Sequence, residues 1–433
     1  GGTAGVVVKN LFTGVTSEAK LNLAVAVVSS APALANILSF VWAALSHGRH
    51  KIRFVALTQA ATVAVVLLLA FTPRNALGLM LFVLGVLAAR FCWSGVLTLR
   101  STVWGANYPR HARANMAGKL ATVQALVMAS VAFIVGITMD WLDAAAIARG
   151  IPAAEAADVS IYALRILYPL FAVAGVAGVW IYLGMRMRGH RVLLREEQRS
   201  HPGRIALISP LTIWRVLAED GPFRRYMICM FLFGAGNLMV RAPLVVILKD
   251  VFDLEKAVQF ALAQTLPMIF MALSISGWSH FLDRMHIVRY RSFHAWFFVG
   301  FILVLLVASV TRTPELLWLG AVLNGIAFGG GVLGWNLGHH DFAPVERASQ
   351  YMSVHVTLTG IRGIVAPLVA IGIYQVLESY RPGAGVWVFA LCLSLSAAGA
   401  VGFVLMERAR QRDHSSGDGA AGPPQSGIRR PGV

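Results

Sequence analysis

Charge is what this chain has least of: 13% of its 433 residues are Asp, Glu, Lys or Arg, against 57% hydrophobic. A water-soluble protein of that length needs far more polar surface to cover itself, which excludes a soluble globular domain. Cysteine is scarce too. Cys92, Cys229 and Cys392 each sit inside an apolar run, giving neither a disulfide framework nor a cysteine metal site. There is no glycine-rich nucleotide loop, HExxH pair or GxSxG elbow, so the chain is read as no enzyme and as needing no cofactor. Carboxylates at mid-span are almost absent, since Asp140 and Asp341 fall at the ends of apolar runs.

What is present describes a membrane protein. Mean hydropathy is +0.69, and apolar runs recur at about 22–45, 54–72, 76–103, 118–142, 160–184, 226–248, 257–279, 292–311, 315–338, 350–377 and 385–406. Backbone groups in lipid must bond within each run, and runs this long exceed barrel strands, so all are expected to be helices. Residues 1–12 are apolar but too short to span. Val6–Phe12 echoes Val246–Phe252, and the later copy has a long apolar stretch before its lysine. The expectation is that the front of helix 1 and the initiating Met are missing, which with the stub makes twelve spans.

The formal net charge of +17 does not point to nucleic acid, because the basic residues fall in clusters between apolar runs rather than in one patch. Arg49, Lys51 and Arg53, then Arg110 and Arg113, then 186–225, then Arg284, Arg289 and Arg291 mark the loops after even-numbered spans. Those loops and both termini are therefore expected on the cytoplasmic side, in a bacterial cytoplasmic membrane. Residues 185–225 read as a basic linker with a short amphipathic helix carrying Ile213, Trp214 and Leu217, either a lipid-surface contact or a packed tether. The Gly, Pro and Ser content of 408–433 predicts a disordered tail.

The chain also repeats. Ala89–Trp141 and Ala327–Gln375 share one plan, with Trp93–Leu97 aligned to Gly331–Trp335 and Arg113-Ala114-Asn115 aligned to Arg347-Ala348-Ser349. In the loop after the second span of each half stand Trp278-Ser279-His280-Phe281-Leu282-Asp283-Arg284 and Trp42-Ala43-Ala44-Leu45-Ser46-His47-Gly48-Arg49. On these features the sequence resembles the major facilitator superfamily, over essentially its whole length. The resemblance implies an all-α membrane fold of two six-helix bundles, 1–184 and 226–407, related by pseudo-two-fold symmetry. It further implies a conformational latch at His47, Arg49, Asp283 and Arg284. His47 stands where the family has an acid, and the family's Gly-Pro antiporter pair is missing from Val127–Met139.

The same resemblance implies a midplane site lined by helices 1, 4, 7 and 10 that opens to each side in turn. The residues themselves single out three intramembrane arginines, since a charge at mid-helix costs about 2.5–3.5 kcal/mol. Arg90 shares a face with Trp93 and Ser94; Arg241 with Asn237 and Phe233; Arg362 with His355 and Thr359. Asn324, Phe328, Gly331, Trp335 and His339 recur on another helical face, with Asn336 beside them. Candidate substrate contacts are thus Arg90, Trp93, Ser94, Asn237, Arg241, Asn324, Trp335 and Asn336. His355, Thr359 and Arg362 are candidates for coupling or for locking helices together. Trp93 and Trp335 stand open between stacking and core roles, and the glycine run Ala327–Gly334 between close packing and a hinge. His339-His340-Asp341 are consecutive and cannot converge on one metal ion.

The functional expectation is a monomeric secondary transporter for a small solute, anionic or polar, with or without a coupling proton or ion. Arg90 and Arg241 carry the anionic option. The alternative is a non-transporting sensor or assembly protein on the same fold.

Overall fold

The computed structural model describes residues 2–108, 110–199, 210–343 and 348–417. Residues 200–209 of the basic linker, Arg347 and 418–433 of the tail lie outside the described residues. Among the described residues, eleven helices are long and apolar enough to cross a membrane. The first half comprises α1 (Gly2–Leu11), α2 (Glu18–Ile37), α3 (Ser39–Ser46), α4 (Lys51–Leu69), α5 (Ala76–Asn107), α6 (Arg110–Ala148) and α7 (Ala153–Gly184). Two short helices follow, α8 (His190–Arg199) and α9 (Pro210–Glu219). The second half comprises α10 (Gly221–Met239), α11 (Arg241–Asp250), α12 (Lys256–Phe260), α13 (Leu266–Leu282), α14 (Ile287–Thr311), α15 (Glu315–Leu337), α16 (Ala348–Tyr380) and α17 (Val388–Gly417).

Large apolar side chains such as Leu68, Phe71, Val173, Trp180 and Leu273 are mostly exposed, which suits a lipid solvent rather than water. Within the first half α4 packs on α5 and α7, and α6 on α7; within the second, α13 packs on α15, and α14 and α10 on α17. The halves meet where α2 lies on α16, α6 on α12 and α13, and α1 on α11.

Two prolines shape the seam. Pro243 has no N–H to give the Met239 carbonyl, and the helix breaks at Val240 between α10 and α11. Pro267 likewise follows a turn of π-helix, Ala261–Thr265, that joins α12 to α13. Both breaks face the space between the halves.

Two boundaries differ from expectation. α10 begins at Gly221, earlier than 226, because Asp220 caps it by accepting from Phe223 N at 2.8 Å. The described part of the expected tail is helical through Gly417, where Glu407 accepts from Arg410 and Gln411 one turn on. α9 buries Val216 and leaves Trp214 exposed, so it rests on α10 and α16 while presenting an indole outward.

Candidate functional site

A cavity of about 680 Å³ lies where the two breaks meet the middle of α15 and α16. Its first-half wall is thin, with Leu97 from α5 and Met128 from α6. The rest is contributed by α10, α11, the π turn, α13, α14, α15 and α16. Phe233, Phe298, Phe301 and Phe328 give it an apolar lining, and no Asp or Glu lines it among the described residues.

The break at Val240 turns Asn237 and Arg241 into this space. The Arg241 guanidinium lies 5.6 Å from the Phe328 ring centroid, so a charge that has left water faces an aromatic quadrupole. Opposite, Trp335 Nε1 of α15 donates to Thr359 Oγ1 of α16 at 3.3 Å, and Arg362 Nη2 donates to the same oxygen at 3.3 Å. Arg362 also donates through Nη1 to the Met230 carbonyl of α10. Thr359 and Arg362 of α16 together thus link α15 to α10. His355 sets its ring against Trp335, with centroids 5.6 Å apart. Asn324 is buried in the wall, and Asn336 points into the cavity mouth with its Nδ2 donating to Val332 O at 2.8 Å.

Of the candidate residues, Asn237, Arg241, Asn324, Trp335, Asn336, Thr359 and Arg362 are brought together here. Arg90, Trp93 and Ser94 are not lining residues. Arg90 is half-buried on α5 beside Tyr168, within electrostatic range of Arg241. Trp93 packs on the small cluster of Phe54, Val55, Val96 and Leu99. Ser94 Oγ donates back to Phe91 O at 2.7 Å, and Gly95 admits the Trp42 ring, so this stretch closes α5 against its own half.

Sequence reasoning missed Arg291, Gln264 and Met128. Arg291 had been counted with the loop charges, yet it lies in the second turn of α14, is 1% exposed and lines the cavity. The available signal was Tyr290, Arg291, His294 and Phe298, a polar and aromatic face at helical spacing. The glycine run of α15 answers that face. A Cβ at Gly330 would meet Tyr290 Oη at 2.6 Å, and one at Gly334 would meet Arg291 Nη2 at 2.7 Å. Close approach therefore accounts for these two glycines.

At the expected latch, Asp283 and Arg284 are exposed at the end of α13, and Arg49 lies over the Phe54 ring at 5.9 Å. The carboxylate that serves α14 is Asp341, which accepts from Ile287 N at 2.6 Å.

A lipid-facing helical shell around an apolar cavity with a few converging polar groups is the architecture of a membrane transporter. The sequence pattern of the Major Facilitator Superfamily matches residues 4–367, and the chain belongs to that family. Among solved structures it is similar to a mutant of the nucleoside transporter NupG, with 14% identity, TM-score 0.67 and coverage of 94% and 95% of the two chains. It is similar also to a D-xylose-proton symporter, at 13% identity, TM-score 0.64 and the same coverage of 94% and 95%. The xylose transporter XylE from E. coli, in a partially occluded inward open conformation, gives 11% identity, TM-score 0.59 and coverage of 94% and 95%. No curated protein matches the chain significantly by sequence.

Proposed function

We propose that the protein is a secondary transporter that carries one small solute through this cavity by alternating access, the bundles 1–184 and 226–407 moving as two bodies around it. The observation that carries the reading is the convergence of Asn237, Arg241, Asn324, Trp335 and Arg362 on one apolar-walled space beside the seam. Polar groups at membrane depth are costly unless they have work there, and these come from four different helices. The basic clusters orient both termini toward the cytoplasm, and the chain works as a monomer in a bacterial cytoplasmic membrane.

The test is a distance measurement in lipid. Paired spin labels on the two bundles, at each face in turn, should give two populations whose distances change in opposite senses when a transported solute is added. One fixed distance at both faces, across a panel of nucleosides, sugars and organic acids, would instead make the chain a static sensor or assembly protein.

A further inference from the structure

We infer that the cavity holds its solute by an anionic group, a carboxylate or phosphate, seated between Arg291 of α14 and Arg362 of α16. This rests on the transport reading but assigns a recognition site distinct from Arg90 and Arg241.

Both guanidiniums are enclosed, with Arg291 1% and Arg362 6% exposed, and both line the cavity. With Arg241 they bring three cations to a wall that carries no carboxylate among the described residues. Charges withdrawn from water need a partner, and among the described residues none of opposite sign lines the cavity. Their hydrogen bonds are also incomplete, because Nε of Arg291 and Nε of Arg362 each lack an acceptor among the described residues.

The remaining contacts hold the two groups in place rather than neutralise them. Arg291 Nη1 lies 3.2 Å from His294 Nδ1, and His294 Nε2 lies 2.8 Å from Ala327 O. Arginine only donates, so Nδ1 accepts and Nε2 carries the proton given to Ala327 O, which fixes the imidazole as the neutral tautomer. The Tyr226 side chain stands beside Arg291. Arg362 is held by Met230 O and Thr359 Oγ1.

Space is reserved as well. A Cβ at Gly234 would overlap the Arg362 guanidinium, and one at Gly334 would meet Arg291 Cζ at 2.8 Å. Two positively charged, preorganised forks with spare N–H groups match the geometry of a carboxylate or phosphate. Phe233, Phe298 and Phe301 around them suit an apolar body, so the ligand class is a small organic anion with a hydrophobic portion.

The test uses the purified full-length chain in nonionic detergent, with thermal unfolding followed in benzoate, phenyl phosphate, neutral benzyl alcohol, or phosphatidylglycerol. Benzoate or phenyl phosphate should raise the midpoint and benzyl alcohol should not. Arg291→Gln and Arg362→Gln should each weaken the anion effect about tenfold or more, the usual result of removing a charge-assisted bond. Should either variant fail to fold, the wild type still decides. Phenyl phosphate should slow phenylglyoxal modification of Arg291 and Arg362, mapped by mass spectrometry, while benzyl alcohol leaves it unchanged. If phosphatidylglycerol is the sole stabiliser and both arginines are protected by it, the anion site stands with a lipid headgroup as its source. Equal stabilisation by the neutral probe, or none by any probe, overturns the assignment. Neither result touches the spin-label distances, which judge transport separately.

Discussion

Lys9 Nζ lies 2.7 Å from Asp250 Oδ2, an ion pair that ties the end of α1 in one half to the end of α11 in the other. Lys9 is 1% exposed and also bonds Glu18 at 2.6 Å and Asn22 Oδ1 at 2.9 Å. Beside it Asn10 Nδ2 donates to Gln259 Oε1 at 2.7 Å. Asp140 accepts from Lys256 N and Ala257 N at 2.9 and 2.6 Å, and Lys256 pairs with Asp143. Lys9–Glu18 and Lys9–Asn22 tie α1 to α2 within the first half, and the other ties join the halves at the face of the 12–17 and 251–255 loops.

If this cluster holds that face shut, Lys9→Met should open it. The substitution removes the buried cation and leaves the Asp250 and Glu18 carboxylates facing each other. A cysteine placed at Val246, which is fully buried, should react with an impermeant maleimide about tenfold faster in Lys9→Met than in its parent. An unchanged rate means that the halves are held by apolar packing alone.

At the opposite face an acid from α8 meets the loop that precedes α4. Glu197 of α8 accepts from Lys51 Nζ at 2.7 Å and from Gly48 N at 2.9 Å. Lys51 has a side chain only 4% exposed, and that carboxylate lies against its ammonium at 2.7 Å. Glu197→Gln keeps an acceptor but loses the charge, and should cost α8 docking about 1–3 kcal/mol. Amide exchange over 190–199 should rise accordingly. Protection equal to that of the parent would show that α8 is held by other contacts.

How far the sequence foretold this follows from what a one-dimensional pattern can carry. Arg241, Asn237 and Arg362 were legible because a polar residue inside an apolar run stands out, and helical spacing puts it on a face. Arg291 was not legible. It sits near a span's end, where a basic residue reads as an orientation signal. Trp93 and Ser94 share a face with Arg90, but spacing does not say whether that face meets the cavity or the neighbouring helix, and Phe54 and Trp42 decide it. The contacts Lys9–Asp250 and Lys51–Glu197 join residues remote in sequence, and no periodicity reports those. The helical stretch 408–417 was masked by the Gly- and Pro-rich composition that follows it.

The glycines of α15 and α16 allow a paired test. Gly334→Ala would drive a methyl into Arg291, whereas a Cβ at Gly372 meets nothing within 4 Å. Overpacking at the first should destabilise by about 1–3 kcal/mol. The second should stay within about 0.5 kcal/mol. Thermal unfolding of both variants separates a steric role for Gly334 from a general need for flexible helices, which would make the two losses alike.

The contact between α4 and α8 should depend on pH through His50. Its ring centroid lies 4.1 Å from that of His190, and Arg186 and Arg191 line the same cleft. Burial, then the neighbouring His190 and Arg53, push His50 below its ordinary value of 6.5. Its Nδ1 also accepts from Arg53 N at 3.5 Å at the start of α4, a role that protonation removes. A histidine that binds its proton less readily when folded makes the unfolded form the better base. Docking is therefore undiminished above the ordinary value and weakens as pH falls through it toward the depressed one. Exchange over 190–199 should accelerate between about pH 7.5 and pH 5.5 relative to intrinsic rates. His50→Asn keeps a capping oxygen and removes the titration, so its profile should be flat across that window. A parent as flat as the variant would mean that His50 keeps its ordinary affinity for protons despite the contact with His190.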